Sequence, residues 1–553
     1  MRKGYFLLFT FYFFSFSTNA QDIPRGWHLL DYSTDSFYGI SLNKAYLFLQ
    51  QKKIISTSII VGVMDSGVDT LHEDLKNILW HNPKEIPSNG IDDDGNGYID
   101  DVYGWNFLGN KNGENIKNVT DEKTRVYYHY KEKYAGKQID ESSLSQQELL
   151  EYKLWKRAAD EMNISTETEV EIAMVEMTAK ALKKYDKGLK TEMGVDEYTA
   201  QKLEQFEPKT VDGKQNKYQY LTMIKLLELD TDETNKSIIN QLDEYLVQKK
   251  KSIEARDNKP PNFRADIIKD DYNNINDKYY GNPDVKASAP NHGTHVAGII
   301  AAQRDNNIGI DGVADNAKIM VIRVVPDGDE YDKDIALGIF YAVNNGAKVI
   351  NMSFGKGFSP EKYWIDSAVR YAAAKDVLIV HAAGNDAKNI DTTSNFPSAY
   401  YLNNKEKFSN FITVGASTDP KISRGNIVAD FSNYGKKSVD VFAPGVKIYS
   451  TLPNENGYGN QQGTSMAAPI VTGIAALLRS YFPSLTAVQT KEIIEKTVIK
   501  PNIQEPITLT VDNKEKETKL KLKDLSVTGG IVNAANAVEL AFTIDQNNKK
   551  KKK

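Results

Sequence analysis

The 553-residue chain contains no cysteine. That absence excludes disulfides, thiolate metal sites, a cysteine nucleophile and an acylated lipoprotein cysteine. Long apolar runs are scarce too. The stretch from Tyr5 to Phe16 is too short to span a bilayer comfortably, and no second candidate follows it. It sits between Met1-Arg2-Lys3 and Ser17-Thr18-Asn19-Ala20, the layout of a secretory signal peptide cut after Ala20. Charge of one sign is also missing: 69 basic and 74 acidic side chains leave a formal net charge of -5. Neither a nucleic-acid footprint nor a long acidic block is present. The lysine run Lys549 to Lys553 reads as a solvated, disordered tail. The expectation is an exported protein, periplasmic or extracellular, without a membrane span or a nucleic-acid partner, and a monomer. Lacking disulfides, it relies on its core and on bound cations, with length enough for two to four domains.

What is present centres on Ser465, in Gly463-Thr464-Ser465-Met466-Ala467-Ala468-Pro469. A free serine hydroxyl is a poor nucleophile at neutral pH and needs a base. His292, in Asn291-His292-Gly293-Thr294-His295, can take its proton, and Asp65, in Val63-Met64-Asp65-Ser66-Gly67, can orient the imidazole. Each alone has a plain reading: a helix N-cap, a polar loop residue, a strand end before a turn. Together they stand in the order Asp, His, Ser. At these motifs the sequence resembles the subtilisin-like serine proteases.

That resemblance implies a serine endopeptidase hydrolysing polypeptides through an acyl-enzyme on Ser465, with no cofactor in the chemistry. It identifies Asn385, in Ala382-Ala383-Gly384-Asn385-Asp386, with the family's oxyanion asparagine. It also implies that Ser353, Phe354 and Gly355 on one side, and Ala382, Ala383 and Gly384 on the other, bracket the substrate. Lys356 is then expected to narrow or charge the rim, and His381 to be a satisfied histidine at a strand end. Two rivals are a different serine hydrolase and a catalytically silent binding or scaffold protein on the same fold. The first would show Gly-x-Ser-x-Gly and the order Ser, acid, His. Against the second stands the presence of all four chemical groups.

The surrounding pattern predicts an α/β fold, a doubly wound and mainly parallel sheet. Ile59 to Met64 is a short β-branched run, as in a buried parallel strand, ending at Asp65. Further apolar strands, Ile319 to Val325, Val349 to Met352, Val377 to Val380, Phe411 to Val414 and Val439 to Phe442, alternate with helical patterns. Thr464 to Leu478 reads as a buried helix. The organisation expected is a signal peptide over 1–20, a leader over 21–57, a discontinuous catalytic domain over 58–110 and 271–542, a helical insertion over 111–270 and a lysine-rich tail over 543–553. The leader, with apolar positions from Trp27 through Tyr46 to Leu49, looks too short for an inhibitory prosegment. No added carboxyl-terminal domain is expected, and Pro501 to Lys523 alternates like a hairpin.

Asp65 and His292 lie 227 residues apart, and the insertion accounts for most of that distance. Ser145 with Glu148 forms a capping box before Leu149, Leu150, Leu154, Trp155 and Ala158 at helical spacing. Val170, Met174, Met177, Ala181 and Leu182 predict the packed face of a second helix, and Leu221 to Leu227 and Ile238 to Leu246 two more. The plain reading is a helical subdomain in a surface loop, and the functional one a lid or exosite. Structural calcium is expected at two places. Asp92, Asp94, Asn96 and Asp100 occupy the first, third, fifth and ninth positions of a truncated calcium loop, with Gly97 at the sixth. The resemblance adds Asp74, facing Asp305 and Asn307 in the loop from Gln303 to Ile310. The His292 and His295 pair lacks the His-Glu-x-x-His zinc spacing.

Overall fold

The computed structural model describes residues 23–552, except 163–165, 228, 230, 232–233, 287–289, 403–405, 424, 454, 502–503 and 512–513. The expected signal peptide lies outside the described residues. Seven strands form the central sheet: β1 (Ile59–Asp65), β2 (Gly104–Asn106), β3 (Ala317–Arg323), β4 (Val349–Met352), β5 (Leu378–Ala382), β6 (Phe411–Ser417) and β7 (Val441–Pro444). Their order is β2-β3-β1-β4-β5-β6-β7, and all pairs are parallel.

Side-chain alternation explains why these runs are apolar throughout. In β1, Val61 and Val63 face one core while Met64 faces the other. Ile319 and Val321 of β3 likewise oppose Met320 and Ile322. A strand buried on both faces has no polar side to show. The Asn291–Ala301 and Thr464–Tyr481 helices cover the first face, the Asp332–Asn344 and Lys362–Ala374 helices the second. The strand order turns back at β1, whose neighbours β3 and β4 run to opposite sides. Such a switch point opens a crevice at the carboxyl ends of the strands.

The leader packs onto this body. Trp27, Leu42, Ala45 and Leu49 are buried in the first core, and the Trp27 indole donates to the Val446 carbonyl at 3.0 Å. The hairpin expected near the end of the chain is present as Gln504–Val511 against Lys514–Lys521, antiparallel. The lysine run differs from expectation. It is helical, the last part of Ala534–Lys552, because lysine is a good helix former and a cation suits a helix carboxyl end.

Between β2 and the Asn291–Ala301 helix run the helices Glu122–Tyr134, Gln146–Met162, Thr166–Met193, Val211–Leu226 and Asn235–Asp257. The Ser145 capping box forms, with the Ser145 N–H donating to Glu148 at 3.0 Å and the Glu148 N–H to Ser145 Oγ at 3.3 Å. Among the described residues of Thr166–Met193 the buried apolar ones are Ile172, Ala179, Leu182 and Leu189, whereas Val170, Met174 and Met177 are exposed. Of the predicted face Leu182 is buried but Val170, Met174 and Met177 are not, because the helix turns Ile172 and Ala179 toward Leu246. No helix among the described residues is long and apolar enough to cross a membrane.

Candidate active site

Three strand ends converge on one crevice. Asp65 closes β1, Ser353 follows β4, and Asn385 lies three residues beyond β5. Because Met64 pairs with Met352, Asp65 and Ser353 are the next step of adjacent strands, about 5 Å apart in backbone spacing. His292 is the second residue of its helix, and its Nδ1 lies 2.8 Å from Asp65 Oδ1. Asp65 is 1% exposed, and the same oxygen accepts the Ser66 N–H at 2.7 Å. A buried carboxylate fixed this way sets the imidazole tautomer, leaving Nε2 as the free acceptor. Burial lowers the pKa of the ring, but the Asp65 charge and hydrogen bond raise it more, so the net shift is upward.

Ser465 is the second residue of the buried Thr464–Tyr481 helix, so its N–H is one of the unpaired amides at a helix amino end. Its hydroxyl donates to the Ser353 carbonyl at 3.0 Å, and Ser353 Oγ returns a bond to the Ser465 carbonyl at 2.9 Å. Among the described residues no hydrogen bond joins that hydroxyl to His292. Asn385 is held by its amide oxygen, which accepts from the Thr464 N–H at 2.8 Å and the Thr464 hydroxyl at 2.9 Å. Its Nδ2 is thereby turned outward. A methyl group added to Gly463 would sit 3.3 Å from that Nδ2 and 3.6 Å from the Ser465 N–H nitrogen. Two donors thus flank one small space, and Gly463, at φ 146°, leaves it open.

A cleft of about 590 Å³ leads away from Ser465. Phe354 and Gly355 form one wall, Ala382 and Gly384 the other, with Asn385 at the mouth. Ser353 and Ala383 stand behind the walls. The Ala383 carbonyl accepts from Asn395 at 3.0 Å and Asn433 at 2.9 Å, which fixes the second wall. His381 is buried, its Nε2 2.8 Å from the Phe354 carbonyl, and burial lowers its pKa to about 4. Lys356 does not reach the rim. It is buried beneath the wall, 2.7 Å from both Glu122 and Asp332, because an aliphatic stem threads inward to two buried carboxylates.

A hydroxyl beside two converging donors, with a carboxylate-held imidazole at the neighbouring strand end, can support acyl transfer. The family model described as the subtilase family matches residues 56–529. The chain belongs to the subtilase family. It is 41% identical over 211 residues to the thermophilic serine proteinase of Bacillus sp. (strain AK1), covering 38% of this chain and 47% of that protein. To the alkaline elastase YaB of Bacillus sp. (strain YaB) it is 39% identical, over 39% of this chain and 52% of that protein. To subtilisin BL of Lederbergia lenta it is 39% identical, over 37% and 69%. The chain thus spans about half the length of the first two.

The acidic loop of this subtilase gathers a different set of oxygens from the one its spacing suggests. Asp92 and Asp94 come within 4.8 Å of Glu85, seven residues upstream. Glu85 accepts the Asp93, Asp94 and Asp100 N–H groups at 3.0, 3.3 and 3.1 Å, and burial raises its pKa. Three carboxylates so close fit a hard cation, since like charges in contact repel without one. Two expected ligands turn elsewhere. Asp100 accepts from the Asn89 and Gly90 N–H groups at 3.1 and 3.0 Å, and the Asn96 oxygen takes the Tyr98 N–H at 2.7 Å.

At the second place Asp74 is fully buried, as a ligand would be. Asp305 and Asn307 are exposed, and it is Asn306 between them whose Nδ2 donates to Asp74 at 2.6 Å. Successive side chains in that turn diverge, so a one-residue change of register exchanges the inward residue. Asp74 also accepts from the Tyr458 hydroxyl at 3.2 Å and the Ile310 N–H at 3.3 Å. Three neutral donors thus surround the carboxylate.

Four residues escaped the sequence reading. Thr464 lay inside the serine motif and was legible as a hydroxyl beside Ser465. Asn306 differs from the expected ligands by one position. Glu85 and Arg157, the latter lining the cleft beside Ser465 from the Gln146–Met162 helix, carry no spacing signal at all.

Proposed function

We propose that this subtilase is an exported serine endopeptidase acting on polypeptides. The observation that supports it best is the 2.8 Å Asp65–His292 pair one strand from Ser353, whose carbonyl accepts the Ser465 hydroxyl, with the Ser465 N–H converging on Asn385 Nδ2. In this reading a rotation about the Ser465 side chain moves its hydroxyl from the Ser353 carbonyl toward His292 Nε2. Oγ attacks the substrate carbonyl carbon as its proton passes to Nε2. Asn385 and the Ser465 N–H stabilise the oxyanion, and Thr464 holds the asparagine in place. Collapse breaks the C–N bond, and His292 returns the proton to the leaving amine. Water then repeats the sequence on the acyl-enzyme. The substrate chain lies between the Ser353–Gly355 and Ala382–Gly384 segments, adding as a strand through main-chain hydrogen bonds.

The aspartate-to-histidine segment over 111–270 is, in the same reading, a helical insertion in a catalytic domain formed by 58–110 and 271–542. Glu85, Asp92 and Asp94 hold a structural calcium ion, which supplies stability rather than chemistry. In excess chelator the melting temperature then falls in the wild type and stays put in Glu85→Ala.

Labelling with a fluorophosphonate tests the central claim. The wild type takes one label at Ser465 and cuts a casein or peptide substrate, while Ser465→Ala does neither and keeps its circular dichroism spectrum. A wild-type chain that folds but neither labels nor cuts supports the silent-scaffold alternative instead.

A further inference from the structure

The cleft beside Ser465 is not walled by the sheet alone. Arg157, from the Gln146–Met162 helix, lies at its mouth. Its Nη1 donates to Ser394 Oγ at 2.5 Å and its Nη2 to the Gly357 carbonyl at 2.6 Å. These acceptors belong to opposite sides. Gly357 continues the wall begun by Phe354 and Gly355, while Ser394 precedes Asn395, the residue that holds Ala383. One side chain therefore spans the opening. It is well anchored, because its guanidinium lies 3.8 Å over the Phe358 ring, and Phe358 packs with Val126 and Ala158.

The charge on Arg157 is only partly answered. Both hydrogen-bond acceptors are neutral, and Nε is buried without a hydrogen-bond partner among the described residues. The carboxylate that approaches it, Glu161, stays 3.8 Å from Nε, beyond hydrogen-bond reach, with half its side chain in solvent. Burial accordingly lowers the arginine's pKa. The other charges around the cleft do not compete with it. Lys356 is neutralised by Glu122 and Asp332. Asp329 accepts the Glu122 N–H at 2.8 Å and lies beside Arg125. Asp386 and Lys388 are exposed, opposite in sign and screened by water.

We propose that Arg157 is a specificity-determining residue: it selects an acidic substrate side chain in the cleft. The proposal rests on the peptidase reading above and adds the substrate class to it. A carboxylate entering the cleft gains the charge-assisted partner that Ser394 and Gly357 do not provide. A lysine or arginine meets a like charge in a partly desolvated setting.

Four chromogenic peptides, differing only in glutamate, lysine, leucine or alanine before the cut bond, test this on the full chain. Wild-type kcat/KM favours glutamate over lysine by about tenfold or more, the ordinary scale of one charged hydrogen bond. Arg157→Ala loses about tenfold on the glutamate peptide and stays within about threefold on leucine and alanine. Arg157→Glu inverts the preference, and Arg157→Lys, a point charge without the planar fork, recovers part of it. An equal fall on all four peptides, or an unchanged glutamate-to-lysine ratio in Arg157→Ala, overturns the proposal and leaves Arg157 a strut. A wild type that labels at Ser465 and cuts without favouring glutamate overturns it too, but spares the peptidase reading. A chain that neither labels nor cuts any of the four overturns both.

Discussion

The sheet and the helices between β2 and His292 are built on different terms. Every residue of β4, β5, β6 and β7 is buried, and the Thr464–Tyr481 helix is sealed along nearly its whole length. The helical segment keeps smaller cores, one around Leu182, Leu189, Tyr198 and Tyr220, and leaves Val170, Met174 and Met177 in water. It is joined to the sheet through charge as much as through apolar contact. Lys356 beneath the cleft wall meets Glu122 of the Glu122–Tyr134 helix, and Arg125 of that helix lies 2.7 Å from Glu122. Position is therefore fixed in the sheet by strand register, and in the helices by a few buried ion pairs and Arg157. A site that needs sub-ångström placement belongs on the first, and a variable wall can be carried by the second.

The contrast is broken most severely at the strand ends. Asn385→Ala removes one of two donors whose geometry depends on β5 and Thr464. Turnover should fall about a hundred- to a thousand-fold, with substrate affinity little changed, as single-turnover kinetics would show. That magnitude is borrowed from subtilisin, a family member. Next in size is the joint between the regions. Burial pushes the Glu122 carboxyl up, yet Arg125 and Lys356 outweigh it and hold its pKa down at about 2. Glu122→Ala leaves the buried Lys356 and the half-buried Arg125 with one carboxylate fewer, at a cost of about 3 kcal/mol, and thermal melting would report it. Were the melting temperature unmoved, the helices would not be anchored there.

Legibility followed the same division. Asp65, His292, Asn385 and Ser465 were readable because strand-turn and turn-helix motifs carry their own flanking glycines and small residues. The parallel strands were readable because burial on both faces forces unbroken apolar runs. Gly104–Asn106 was missed, since three residues at a sheet edge show no period. In the helical segment the periods gave elements but not always faces: a helix of 28 residues with apolar side chains all round offers two plausible stripes. Only packing against Leu246 decides between them. Lys356 was misplaced for a related reason. A lysine after a glycine-rich wall looks solvent-bound until the carboxylates of Glu122 and Asp332, remote in sequence, are seen below it. Glu85 joined the acidic loop by a fold of the chain that spacing does not encode.

Smaller effects sharpen the comparison. The Asp65 partner shifts His292 upward from its ordinary value of 6.5 despite burial. A base must be unprotonated to accept the serine proton, so the acidic limb of kcat/KM should titrate above pH 6.5 and activity should rise with pH through it. The ring keeps 37% of its side chain in solvent, which screens the shift without reversing its direction. A limb below 6.5 would mean that the Asp65 charge does not govern the ring.

The smallest change is expected on the exposed stripe. Met174 and Met177 are 62% and 73% exposed, so replacing both with lysine removes little buried area. Stability should move by no more than about 0.5 kcal/mol per site, and peptide cleavage should not move at all. Glu176 already pairs with Lys180 and Lys250 on the same surface, so added lysines meet a mixed-charge setting rather than a basic one. Ile172→Lys, on the buried stripe two residues earlier, places a charge against Leu246 and should destabilise the helices by several times as much. Equal effects at the two stripes would show that the face turned toward Leu246 is not the one that holds the helix.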